Sequence, residues 1–106
     1  MNAKKKGNKG EHAFAHFLIA NGIKAFRNSM SGGSIWKGDI ANNLDLCIEV
    51  KTVKKLNLQE AWYQVNTDSS KSHATPVLVI HFDGMPKDSW LVVMESGDWV
   101  EHLKKQ

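Results

Sequence analysis

Gly38-Asp39-Ile40-Ala41-Asn42-Asn43-Leu44-Asp45-Leu46-Cys47-Ile48-Glu49-Val50-Lys51 decides how this chain is read. From Leu44 onward apolar and other residues alternate, which predicts a strand with Leu44, Leu46, Ile48 and Val50 on one face and Asp45, Cys47, Glu49 and Lys51 on the other. Asn42-Asn43 is a turn signal, because Asn tolerates positive φ, and Lys37 to Ala41 can supply the partner strand. Parity then constrains the turn. A two-residue Asn42-Asn43 loop would set Asp39 opposite Leu46 and turn it away from Glu49. Convergence of the two carboxylates requires a shift of one residue, through a three-residue loop over Ala41 to Asn43 or a bulge near Asp39.

Converging carboxylates repel unless a proton or a cation intervenes. Hard oxygen ligands suit Mg²⁺ or Mn²⁺, and Mg²⁺ commonly takes one or two carboxylates plus a phosphate oxygen. Lys51, two residues beyond Glu49 and on its face, could orient or deprotonate an attacking water or stabilise transition-state charge. The same string would also serve as a solvated strand face, and the residues by themselves leave both readings open.

Outward from this stretch, Gly10 to Asn21 reads as a helix with Ala13, Phe14, Phe17 and Leu18 on its apolar stripe and Gly22 at the C-cap. Glu11 lies on that stripe, where it suits either the helix dipole or a nearby site. His12 and His16, spaced i, i+4, have no third soft ligand nearby and read as a solvated face. Ile23 to Asn28 predicts a first strand. Ser29 to Lys37 is a Ser/Gly-rich loop whose hydroxyls, backbone donors and Trp36 could meet phosphate and bases. Leu56 to about Ser70 predicts a second helix, with Leu58, Ala61, Trp62 and Val65 buried and Gln64 flanking them. Thr75 to Phe82 is a continuous apolar run suited to a central strand, Trp90 to Met94 a further strand, and Ser96-Gly97-Asp98 opens a short last helix. The order α, β, β, β, α, β, β, α implies an α/β fold, a mixed sheet with helices packed on it, with the second helix as a parallel crossover.

Taken in order, Lys9-Gly10-Glu11, Arg27 with Ser29, Ser31, Gly32, Gly33 and Ser34, Gly38-Asp39-Ile40, Ile48-Glu49-Val50-Lys51 and Gln64 resemble the PD-(D/E)XK nuclease superfamily, most closely its archaeal-type and phage Holliday junction resolvases. The likeness covers roughly residues 4 to 82, and Gly38 stands where the name-giving proline would be. It implies a restriction-endonuclease-like core, a central mixed β-sheet flanked by helices. It also implies Glu11, Asp39, Glu49, Lys51 and Gln64 as catalytic residues, with Asp39, Glu49 and Glu11 holding the metal. A loop serine assists in such resolvases; Ser34 matches best by position and Ser31 is the alternative.

The length fits one domain, residues 1–106, with residues 1–9 as a basic arm. Cys47 allows no intrachain disulfide and sits where a small buried hydrophobe belongs, and no apolar run reaches signal-peptide or membrane-span length, so an intracellular, cytoplasmic setting is expected. Net charge is +3, with ten of the fourteen Lys and Arg residues within the first 55 positions, an asymmetry suited to a polyanion. Lys4, Lys5, Lys6, Lys9, Arg27, Ser31, Trp36, Lys37, Lys54 and Lys55 are the expected DNA-contacting residues.

The expected activity is Mg²⁺-dependent (or Mn²⁺-dependent) endonucleolytic hydrolysis of DNA, structure-selective, with the four-way junction favoured. Flaps, damaged duplex or a short recognition site are the alternatives, and a non-catalytic nucleic-acid-binding module is a third reading. Paired incisions at a junction imply a homodimer.

Overall fold

In the computed structural model, residues 3–28 and 38–106 are described, with side chains from Lys9 onward. Lys4, Lys5, Lys6, Ser31, Ser34, Trp36 and Lys37 therefore lie outside the described side chains. The elements are α1 (Ala3–Ala20), β1 (Ala25–Arg27), β2 (Ile40–Asn42), β3 (Leu46–Val53), α2 (Leu58–Ser72), β4 (Thr75–Phe82), β5 (Leu91–Val93) and α3 (Ser96–Lys104), in the order the sequence predicts. Helix α1 begins at Ala3 and so takes in most of the basic segment.

The five strands form one sheet in chain order, β1-β2-β3-β4-β5, antiparallel everywhere except between β3 and β4. That single parallel pair is joined by α2, as a parallel connection requires a crossover. Asn57 starts α2 by accepting a hydrogen bond from the Glu60 N–H, and His73, at φ 57°, ends it in the left-handed region.

Alternation along β3 sends its side chains into two cores. Ile48 and Val50 pack with Phe14 and Ala15 of α1, Ile40, Val77 and Val79, while Cys47 packs with Ala61 and Val65 of α2, Leu78 and Ile80. Full burial of residues such as Ile40, Val65 and Leu78 stabilises the fold by about 1.5–3 kcal/mol each. Cys47 and Trp62 take the core positions expected of them.

The hairpin differs from the simplest turn in the way parity demanded, but at a different place. Ile40 pairs with Ile48, so the turn between β2 and β3 is Asn43-Leu44-Asp45 rather than Ala41 to Asn43. Its left-handed residue is Asp45, at φ 58°. Asn42 braces the turn by accepting from the Leu44 N–H with its side-chain oxygen, and Leu44, expected on the apolar face, is exposed.

Gly10 sets how closely α1 approaches the sheet. It is buried, and a β-carbon there would collide with the Thr52 side chain on β3. The neighbouring Glu11 is thereby held against the sheet.

Candidate active site

The site forms where β2 leaves β3. Antiparallel pairing runs as far as Ile40; beyond it the Asp39 N–H donates to the Ile48 carbonyl at 2.7 Å, while the Asp39 side chain accepts from the Val50 N–H at 2.8 Å. A carboxylate thus replaces a backbone carbonyl as the partner of Val50. Gly38 makes this departure feasible: its φ is 101°, and an added β-carbon would crowd the Ile48 backbone and the Cys47 sulfur. On its other side Asp39 is tied to β1, its carbonyl accepting from the Asn28 N–H at 2.8 Å.

Glu49 is only 9% exposed, and its carboxyl lies close enough to those of Asp39 and Asp68 to interact with both. Carboxyls this close repel one another unless a proton or a cation intervenes. Burial, the Asp68 hydrogen bond and the Asp39 charge together raise the Glu49 carboxyl from the ordinary value of 4.5 to about 9. Lys51 is half-buried two residues along β3, on the Glu49 face, and among the described residues pairs with no carboxylate within 4 Å.

Glu11 approaches from α1, on the opposite face of the sheet. Burial and the Asp39 charge raise its carboxyl above the ordinary range, against the pull of Arg27. The Arg27 Nε donates to Glu11 Oε1 at 2.9 Å, both side chains being largely buried. Arg27, expected on the DNA face, is thus engaged with a site carboxylate.

Gln64 is exposed on α2 with no side-chain hydrogen bond among those described, and the α2 residue that reaches Glu49 is Asp68, one turn further on. Sequence reasoning missed Asp68, although a signal was present. It falls three residues after Val65 and seven after Ala61, so it is a charged side chain on the buried stripe of the helix. Its 3.8 Å contact with Lys71 is a surface pair of little energetic weight. Lys9, Lys54 and Lys55 are exposed, as are His12 and His16. Burial and then the nearby carboxylates, Glu49 first, push the Cys47 thiol up to about 12, which leaves it no nucleophilic role at neutral pH.

A divalent cation suits this chemistry, since it would relieve the repulsion that now keeps a proton on Glu49, and the carboxylates of Asp39, Glu49 and Asp68 are hard oxygen donors. Among the described residues no group of three or more His, Cys, Asp or Glu side chains is arranged to hold a metal. Two carboxylates, Asp39 and Glu49, are nonetheless within what Mg²⁺ ordinarily takes from a protein.

The buried carboxyl has a thermodynamic consequence. The folded chain holds the Glu49 proton more tightly than the unfolded chain does, so this group favours folding below the ordinary carboxylate range and that contribution is lost as pH rises toward about 9. Metal-free protein is expected to lose thermal stability between about pH 4.5 and about pH 9 on this account. Glu49→Gln should flatten the profile and Asp68→Ala should shift its midpoint down, as melting temperatures across a pH series will read. An undiminished slope in Glu49→Gln would assign the titration to another group.

Among the described residues no helix is long and apolar enough to cross a membrane. No curated protein matches the chain at a significant level. Among solved structures, Hjc from Archaeoglobus fulgidus, a Holliday junction resolvase from an archaeal hyperthermophile, matches with a TM-score of 0.57 and 23% identity over 81% of this chain and 73% of that one. At that identity the likeness establishes the fold, an α/β restriction-endonuclease-like core with a mixed sheet flanked by helices. The family described as "Phage putative PDDEXK endonuclease" matches residues 2–106. With that match spanning nearly the whole sequence, and a buried Glu49 set against Asp39 with Lys51 beside it, the chain belongs to the phage PDDEXK endonuclease family.

Proposed function

We propose that this chain is a divalent-metal-dependent endodeoxyribonuclease that cuts branched DNA, with the four-way junction its preferred substrate. The observation that carries the reading is the buried Glu49 carboxyl facing Asp39, with Lys51 on the same strand face and paired to no carboxylate among the described residues. Asp39 and Glu49 would hold Mg²⁺ or Mn²⁺, which when bound supplies Lewis-acid polarisation of the scissile phosphate and neutralises its charge. Lys51 orients and deprotonates the attacking water or stabilises the negative charge on the phosphoryl oxygens as water adds and the P–O bond to the leaving group breaks. The Val50 N–H fixes Asp39, and Asp68 fixes Glu49 from α2. Glu11, neutralised in part by Arg27, borders the site from α1.

Preference for structure over sequence is supported by the described elements, which comprise the sheet and its three helices and include no added module for reading the major groove. The likeness to a junction resolvase points the same way. Cleavage of labelled four-way junction, flap and linear duplex, with and without Mg²⁺, tests the reading. Junction cutting only with the metal supports it; flap cutting alone moves the substrate, and no cutting of any DNA leaves the binding-module reading. Independently of turnover, Mg²⁺ should raise the melting temperature of wild-type protein at pH 8 and leave that of Asp39→Asn unmoved.

Replacing Lys4, Lys5 and Lys6 together with Ala should weaken DNA binding and flatten its salt dependence, by about 0.9 in the log–log slope for each phosphate that is no longer neutralised. The single-turnover rate at saturating protein should stay near wild type. An unchanged slope in salt titrations would take these lysines off the DNA.

A further inference from the structure

Among the described residues Phe26 is the most exposed large apolar side chain on any strand, at 67%, and it stands on the edge strand β1. Single exposed apolar residues are ordinary on a protein surface, so the neighbours of this one decide what it means. Ala25 and Ile40 are both buried in the core beneath α1, so Phe26 and its cross-strand partner Ala41 face the other side of the sheet. Glu49 faces that side as well, because Ile48 and Val50, before and after it, lie in the same α1 core. Pairing of Ile40 with Ile48 sets Asp39 against Glu49, two residues along β2 from Ala41. Phe26 therefore sits one strand over and two residues along from Asp39, roughly 8 Å away at ordinary strand spacings. Helix α2 packs over β3 and β4 on this face, and the Phe26 ring beyond it is open to solvent.

An open depression of about 460 Å³ adjoins the ring, lined by Lys24, Ala25, Phe26, Ala41, Asn42 and Asn43. Its walls are mainly apolar, and Lys24 is the only charged residue among them. An aromatic face beside one ammonium suits a nucleobase and the phosphate attached to it. Intact duplex does not offer such a base, since each of its bases is already stacked on both sides. A free π-face exists only where stacking is interrupted, at a branch point, a flap or a strand end.

We propose that Phe26 stacks on an unstacked base at the branch point of the DNA, with Lys24 on the adjoining phosphate. Bases follow one another at about 3.4 Å along a strand, so the stacked base lies about two nucleotides from the phosphate that is cut. The inference rests on the reading of the chain as a DNA nuclease and gives it a means of telling branched from fully paired DNA.

Binding without divalent metal separates recognition from cutting. Phe26→Ala should weaken binding to labelled four-way junction or flap by about 5- to 100-fold, the loss typical of one stacked base, and leave affinity for linear duplex unchanged. The salt dependence should keep its slope, because no phosphate contact is removed. Phe26→Trp should restore the preference, and both variants should melt close to wild type, since the ring is exposed. Junctions carrying single abasic sites near the branch provide a second arm that needs no variant protein. One position should cost wild type as much as Phe26→Ala does, and combining the two should cost no more than either alone. Wild-type affinity of Phe26→Ala for branched DNA, or an equal loss on duplex, would overturn the inference and leave the nuclease reading standing. So would an abasic series in which no position couples to Phe26. Wild-type protein that binds none of these DNAs would remove both readings together.

Discussion

Asp39→Asn and Glu49→Gln are each expected to reduce cleavage by on the order of 10³-fold or more while leaving DNA binding intact or tighter. Each change removes a negative charge from the pair that would hold the cation, so the charge developing on the phosphoryl oxygens is left unneutralised. Binding moves the other way because the site repels phosphate less. Glu49→Gln is the cleaner probe of chemistry, since it resembles the protonated carboxyl that the metal-free fold already accommodates. Asp39→Asn also alters a backbone contact, because the Val50 N–H loses a charged acceptor, and some loss of stability is expected alongside the loss of rate. Single-turnover cleavage with saturating protein, beside equilibrium binding without Mg²⁺, separates the two effects. Wild-type turnover by either variant would remove the metal site from the mechanism.

Lys51→Ala should slow the chemical step by about 10²–10⁴-fold with little change in affinity for DNA. The lysine is half-buried beside Glu49 rather than on an exposed basic surface, so it contributes little to general attraction of the backbone. Substitution of the exposed Lys54 or Lys55 just beyond β3 should have the opposite signature, weaker binding and an intact rate. The comparison of rate at saturation with apparent affinity for the two sets is the test. A Lys51 variant whose rate is restored by raising protein concentration would make the residue a phosphate anchor.

Much of this architecture was readable from local pattern. Strand β4 falls on Thr75–Phe82 as its apolar run predicts, and the order of the eight elements follows from period and punctuation, because burial selects side chains at fixed spacing along each element. Parity along β3 fixed Glu49 and Lys51 on one face and forbade a simple two-residue turn if Asp39 was to join them. It could not locate the turn, because Asn is only the commoner choice for a left-handed residue and the structure uses Asp45 instead.

Sequence by itself determined the elements, their order and the chemical character of the Asp39, Glu49 and Lys51 set, since each rests on interactions between residues close in the chain. What only tertiary structure decided are the partners brought from elsewhere. Packing of α2 on β3 chose Asp68 rather than Gln64 to touch Glu49, a difference of one helical turn that no pattern within α2 resolves. Packing of α1, set by the close approach at Gly10, delivered Glu11 to Arg27, an ion pair that no local pattern announces. Docking distance and rotation of a helix on a sheet depend on side chains of both surfaces at once, so this information exists only when the two are together.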